Sequence, residues 1–350
     1  MFGSSRHRQR HRHRSCRDPW TDLPPELLGL VLMRLPSHAD RVRLQAVCRA
    51  WRSSARLQRP LPPLLPWLAL PDGTFLSLPD GAVHRVPLPR DVSSRVSTGG
   101  ALFLSHRDGW CSVTSLSQAY ATTAAFWFRG NPIAKHLVRK AVVSDHLVAV
   151  LKSSGRNNVV VSTYSGHTRA TTELVPPRGS FTVDIALFKD KLYVLTADLD
   201  KHERELHVLE DRDGRITLVC CIRSGPKDDH DDDDPNYDSE DGDMCEEEGG
   251  ADDDDRYVRR DYLVVSGDQL LMVKRMMDSP VTTFQRDKRT HWFEVFEAVC
   301  LSGGRGRWKK VDTLRGRALF VSQGCSESLC AGGGIGVRDD CIYFMNENDR

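Results

Sequence analysis

The chain has 350 residues, a formal net charge of +1 and 39% hydrophobic residues, the composition of a folded protein with room for more than one domain. No apolar run approaches the roughly 18 residues of a membrane span, and the arginine- and histidine-rich start is unlike a secretory signal. The ten cysteines form no CxxC pairs. We therefore expect reduced thiols in a nuclear or cytoplasmic protein, with no membrane association; a zinc site is the less favoured alternative.

Two segments of opposite charge lie behind the near-neutral total. Between Pro226 and Asp255 there are seventeen carboxylates and one lysine, a formal charge of −16, which leaves +17 for the remainder. Runs of like charge repel each other and stay solvated, so the sequence predicts that 226–255 is a disordered acidic insert. Residues 1–19 are predicted to be a disordered basic tail, with a nuclear-import or nucleic-acid patch as the alternative.

Residues 20–56 have the periodicity of short helices. Pro24 and Pro25 suit a first helical turn, and Ser37 to Asp40 is typical of a capping-box-like restart. Two apolar stripes follow helical spacing: Leu28, Val31, Leu32 and Leu35, then Leu44, Val47, Cys48, Trp51 and Ala55. So short a segment buries little surface alone, which predicts a partner; an amphipathic hairpin packed on its own domain is the alternative.

The amino-acid sequence of this segment resembles the F-box. It reads Leu23-Pro24-x-Glu26-Leu27-Leu28, then Arg34-Leu35-Pro36, then Val47-Cys48-Arg49-x-Trp51-Arg52. The resemblance implies docking on a Skp-type adaptor and, through it, on a cullin–RING ubiquitin ligase. The residues expected to contact the adaptor are Leu23, Pro24, Leu27, Leu28, Val31 and Leu35. Those expected to form the core of the module are Val47, Cys48 and Trp51.

Beyond the proline-rich linker at 57–66, the pattern changes to short apolar runs separated by turn residues, which predicts β-structure from 67 to 345. A weak repeat, an Asp followed by a strand apolar on both faces, occurs at Asp145, Asp190, Asp268 and Asp340. The first spacing of 45 residues, with about four strands per unit, is typical of propeller blades. We therefore predict a small all-α module followed by a β-propeller, with a β-sandwich as the alternative.

The carboxyl-terminal blocks resemble a large plant F-box family that carries a KIB-type β-propeller, long described as a domain of unknown function. These blocks are Phe293 to Val299, Trp308 to Leu314, Arg317 to Val321 and Asp340 to Phe344. The resemblance implies a propeller that receives a protein substrate. This chain departs from the family in the acidic insert, which we expect to lie in a blade loop.

No GxSxG, HExxH or Walker motif occurs, so we expect neither an enzyme nor a cofactor or metal. The predicted function is a noncatalytic substrate-recognition subunit of a Skp–cullin–F-box ligase. A nuclear nucleic-acid-associated or scaffold protein using its basic surface is the alternative. The +17 remainder predicts a basic recognition face for an acidic or phosphorylated substrate, and an evenly spread charge is equally consistent with the sequence.

Overall fold

The structure is a computed structural model, and no helix in the part that it describes is long and apolar enough to cross a membrane. It describes residues 20, 23–35, 37–58, 67–69, 74–77, 81–85, 88–98, 101–115, 122–127, 137–153, 158–165, 168–198, 203–212, 215–223, 257–278, 289–331 and 337–345. The predicted basic tail, most of the linker and the acidic insert lie outside these residues. Within them, eight cysteines are free thiols.

The chain divides into two compact units, one before residue 65 and one after it. The first contains three helices: Pro25–Met33 (α1), His38–Ala46 (α2) and Arg49–Leu57 (α3). Pro25 occupies the first turn of α1, where its missing amide costs nothing. The predicted restart is confirmed, because the Ser37 side chain accepts a hydrogen bond from the Asp40 amide. Cys48 caps α3 in the same way, through its Sγ and the Trp51 amide.

A small apolar core holds the three helices together. Its buried members are Leu28, Leu32, Leu44 and Ala55, with Leu23, Leu35 and Trp51 packed against them. Val47 was expected in this core, and that prediction is wrong, because 62% of Val47 is exposed. The predicted second stripe assumed one continuous helix, whereas α2 ends at Ala46 and α3 begins at Arg49. Val47 lies in the break, where helical spacing no longer determines which side of the chain faces inward.

The second unit consists of 22 strands in the described residues. They are Trp67–Ala69 (β1), Thr74–Ser77 (β2), Val83–Arg85 (β3), Val92–Thr98 (β4), Ala101–His106 (β5), Trp110–Ser115 (β6), Thr122–Trp127 (β7), Leu137–Val143 (β8), Leu147–Ser153 (β9), Val159–Ser165 (β10), Thr168–Leu174 (β11), Ser180–Phe188 (β12), Lys191–Asp198 (β13), Arg204–Arg212 (β14), Arg215–Ile222 (β15), Tyr257–Ser266 (β16), Gln269–Asp278 (β17), Thr290–Val299 (β18), Arg307–Lys310 (β19), Arg317–Val321 (β20), Ser326–Cys330 (β21) and Cys341–Phe344 (β22).

These strands form six sheets in the part of the chain that the structure describes. Four are antiparallel meanders of four consecutive strands, β4–β7, β8–β11, β12–β15 and β16–β19. Two sheets have three strands: β1–β3, and β21-β20-β22, in which β22 pairs parallel to β20. The inner edges meet in order, since β4 contacts β8, β8 contacts β12, β12 contacts β16, and β16 contacts β21.

The sheets pack face to face around this line of inner strands. Separate hydrophobic clusters lie between the sheets of β4 and β8, of β8 and β12, of β12 and β16, and of β16 and β20. A sandwich would have one core between two sheets, so the predicted propeller is confirmed and the sandwich is excluded. Among the described residues, five sheets place a strand at the axis. The sheet β1–β3 packs on the first of them through Phe75.

The predicted repeat corresponds to this architecture at three of its four positions. Asp145, Asp190 and Asp268 lie in the turns that lead into β9, β13 and β17, each the second strand of its sheet. These strands are buried on both faces, since each sheet is covered by a neighbour on either side. Asp340 differs, because it precedes β22, a half-buried strand at the edge of the last sheet.

Candidate functional site

Helix α1 carries apolar side chains on two opposite faces. Leu28 and Leu32 are 1% and 0% exposed and face the module core. Leu27, Leu30 and Val31, spaced i, i+3 and i+4, are 49%, 48% and 44% exposed and form a stripe on the other face. A helix that is apolar all round is normally buried all round. The outward stripe of Leu27, Leu30 and Val31 is therefore a candidate protein-docking surface.

The structure separates the residues that were expected to contact an adaptor. Leu27, Val31 and Pro24 are exposed, and Leu23 and Leu35 are half-buried against the module core. Leu28 is buried inside the module, so its assignment as a contact residue is corrected. It packs in the module core and holds α1 in place. Leu27 lies on the exposed face of α1 and Leu28 on the buried face, although the two are adjacent in the motif.

Of the three residues expected to form the module core, one packs against that core and one lies at the start of α3. Trp51 packs against the core cluster, and its indole Nε1 donates to the Trp20 carbonyl at 2.7 Å. Cys48 is half-buried at its capping position. Leu30 belongs to the candidate docking surface and was not among the predicted contact residues. The signal was present, because Leu30 lies three residues after Leu27 in the predicted helix.

A buried lysine joins four strands at the propeller axis. Lys140 on β8 is 5% exposed and donates from Nζ to Asp184 Oδ2 on β12 at 2.9 Å. It also donates to the Leu263 carbonyl on β16 and to Ser326 Oγ on β21, both at 3.2 Å. All three ammonium donors are thus satisfied, which is what a buried charge requires. The lysine fixes the inner strands relative to one another.

Beside this lysine, a cavity of about 400 Å³ opens at the amino-terminal ends of the inner strands. We call it the arginine cleft, after four of its lining residues: Arg139, Arg204, Arg259 and Arg260. Asp184, Asp261 and Tyr262 also line it. Sequence reasoning expected a basic face but named no residues for it.

A hydrogen-bonded line of Asp91, His106 and Ser112 has the residue types of a hydrolase triad. His106 Nδ1 lies 2.8 Å from Asp91 Oδ2, and its Nε2 lies 2.9 Å from Ser112 Oγ. The bond to His106 is the main cause that holds the pKa of Asp91 below its usual range. Ser112 is 2% exposed and His106 is fully buried beneath Trp110, whose ring stacks on it at 3.7 Å. A substrate carbonyl cannot reach this serine. The three residues instead connect β5 and β6 to the turn before β4, which contains Asp91.

One group of metal-ligand types occurs in the described residues. The ligand atoms of Glu205, His207 and Cys220 lie within 4.8 Å of one another on β14 and β15. His207 Nε2, which would face a metal, already lies 3.1 Å from Thr196 Oγ1 and 3.2 Å from Glu205 Oε2. His207 is thus engaged by Thr196 and Glu205, while the Cys220 thiol donates to the Ile222 carbonyl.

Comparison with known proteins agrees with both units. The F-box-like family profile matches residues 20–58, and the KIB1-4 beta-propeller profile matches residues 67–350. An F-box/kelch-repeat protein of Arabidopsis thaliana is 23% identical over 368 residues, covering 93% of this chain and 87% of that protein. The F-box protein SKIP23 of the same plant is 42% identical over 65 residues, 18% of this chain and 16% of that protein.

Among solved structures, the WD40 domain of SCAP from fission yeast is similar at 8% identity and a TM-score of 0.28. The match covers 64% of this chain and 54% of that one. The family profiles are decisive, because together they span the helical module and the whole strand-rich unit. The chain is an F-box protein that belongs to the KIB1-4 β-propeller family.

Proposed function

We propose that this protein is a noncatalytic substrate-recognition subunit of a Skp–cullin–F-box ubiquitin ligase. The helical module binds a Skp-type adaptor, and the propeller binds a protein substrate. The observation that carries the proposal is the outward stripe of Leu27, Leu30 and Val31 within the segment matched by the F-box-like profile. The ligase would act in the nucleus or the cytoplasm.

Burial of the outward stripe supplies the energy for docking. Fully burying a leucine or valine side chain contributes about 1.5–3 kcal/mol, and each stripe residue has close to half of its surface left to bury. The buried pair Leu28 and Leu32 keeps α1 on its module, so the stripe is presented by a rigid helix.

Catalysis belongs to other subunits in this proposal. The triad-like serine is inaccessible, and the chemistry of ubiquitin transfer is left to the RING subunit and its conjugating enzyme. The receptor contributes proximity, which raises the effective concentration of the substrate's acceptor lysine.

A pull-down with purified full-length chain and a Skp-type adaptor tests the proposal. Leu27→Asp places a charge in the middle of the stripe, and we expect adaptor affinity to fall at least about a hundredfold, because burying an unpaired carboxylate costs several kcal/mol. Val175→Asp is the matched control, since Val175 is a similarly exposed apolar residue, 59% accessible, in the propeller. Undiminished adaptor binding by Leu27→Asp would contradict the assignment.

A further inference from the structure

The lining of the arginine cleft carries more positive than negative charge. Four arginines face two aspartates across the cavity. Asp184 already accepts from Lys140 Nζ and from the Leu263 amide. Asp261 has no exposed side-chain surface and accepts from Arg204 Nε and Arg259 Nε. Arg204 and Arg259 are thus paired with Asp261, and the four arginines of the lining exceed its two aspartates by two positive charges.

Two β-bulges shape the wall of the cleft. The register of β8 against β9 shifts between Val138 and Lys140, and the register of β12 against β13 shifts between Thr182 and Asp184. The skipped residues, Arg139 and Val183, both line the cleft. A bulge re-aims a side chain out of the normal alternation. Arg139 lines the cavity and has no carboxylate partner among the described residues.

Two buried polar atoms at the cleft lack partners. Arg259 Nη2 and the hydroxyl of Tyr262 are inaccessible and make no hydrogen bond in the described structure. Tyr262 is 4% exposed. An unpaired buried donor costs about 1–3 kcal/mol. Tyr262 packs in the cluster between β16 and β20, whereas the Arg259 side chain is 21% exposed, so the Arg259 guanidinium is the group that an acceptor in the cavity would engage.

We propose that the arginine cleft binds the phosphate monoester of a phosphorylated side chain in the substrate protein; the source of the phosphate rests on the proposed receptor function. The guanidinium groups offer planar forks of donors that match phosphate oxygens, and a phosphate monoester brings about two negative charges and three acceptor oxygens. Arg139 and Arg259 supply guanidinium donors from β8 and β16 to one cavity. A carboxylate has one charge and would leave more of these donors unpaired.

The dimensions of the cleft agree with such a ligand. At about 400 Å³ the cavity lies within the range of small-ligand pockets, about 300–1,000 Å³. It accommodates one phosphorylated side chain, while the rest of a substrate segment would lie outside, over the ends of the inner strands.

The test measures binding of N-acetyl-phosphoserine amide to the full-length chain by thermal shift, at constant ionic strength, with N-acetyl-serine amide and inorganic phosphate alongside. We expect stabilisation by the phosphoserine derivative and none by its serine counterpart. Arg139→Gln should raise the dissociation constant roughly ten- to hundredfold, the usual loss for a charge-assisted hydrogen bond. Arg178→Gln is the matched control, because Arg178 is exposed and outside the cleft.

The melting temperature of the unliganded protein separates ligand binding from folding. Arg139 is half-buried and has no carboxylate partner among the described residues, so Arg139→Gln should leave the unliganded melting temperature nearly unchanged while weakening phosphoserine binding. Equal binding by wild type and Arg139→Gln would overturn the site, as would the absence of any stabilisation by the phosphoserine derivative. Binding of inorganic phosphate alone would overturn a substrate side chain as the source. Failure of the wild-type chain to bind a Skp-type adaptor would refute the receptor function but would not contradict the phosphate site.

Discussion

Replacing Lys140 by methionine tests how the inner strands are held together. The substitution keeps most of the side-chain volume but removes the ammonium group, so Asp184 loses its only cationic hydrogen-bond donor in the described structure and Ser326 and the Leu263 carbonyl each lose a bond. Breaking a buried ion pair costs about 3–5 kcal/mol. Asp184 keeps two backbone donors, the amides of Ile185 and Leu263, which places the expected loss near 3 kcal/mol.

Urea unfolding of the full-length chain, followed by far-ultraviolet circular dichroism, measures this loss as a shift of the transition midpoint. Lys140→Met combined with Asp184→Asn should lose less stability than the two single changes together, because the buried carboxylate is neutralised. Lys310→Met is the control: it breaks a 3.2 Å pair with Glu294 at a lysine whose side chain is 52% exposed, and should cost less than about 1 kcal/mol. If Lys140→Met cost no more than Lys310→Met, the proposed role of Lys140 would be refuted.

Two further substitutions test the packing of each unit. Leu28→Ala should destabilise the helical module by about 2–5 kcal/mol, because Leu28 is 1% exposed in its core, and should weaken adaptor binding only through loss of the fold, which amide hydrogen exchange of α1 would reveal. Gly306→Ala should cost about 1–3 kcal/mol in thermal unfolding, because a Cβ there would lie 2.7 Å from the Cys221 carbonyl oxygen. Gly324→Ala, whose nearest neighbour would be 3.4 Å away, should change little, and equal effects at the two glycines would contradict the packing argument.

The sequence predicted local features better than features assembled from distant segments. The Asp turns at 145, 190 and 268 identified equivalent blade strands because strand burial and turn chemistry are local properties. Val47 was misplaced because a helical stripe was extended across a break. The arginine cleft could not be predicted, since Arg139, Arg204 and Arg259 come from three blades and meet only when those blades pack around the axis. Each of them, taken alone, is typical of a solvated charge on a strand.

Affinity purification of the full-length chain from plant cells with the proteasome blocked tests the receptor function most directly. The wild-type chain should recover a Skp-type adaptor, a cullin and at least one propeller-bound protein. Leu27→Asp should lose the adaptor and the cullin but keep the propeller-bound protein, because the exposed stripe of α1 and the propeller belong to separate compact units. Recovery of the adaptor by Leu27→Asp at the wild-type level, or failure of the wild-type chain to recover any ligase subunit, would contradict the proposed function.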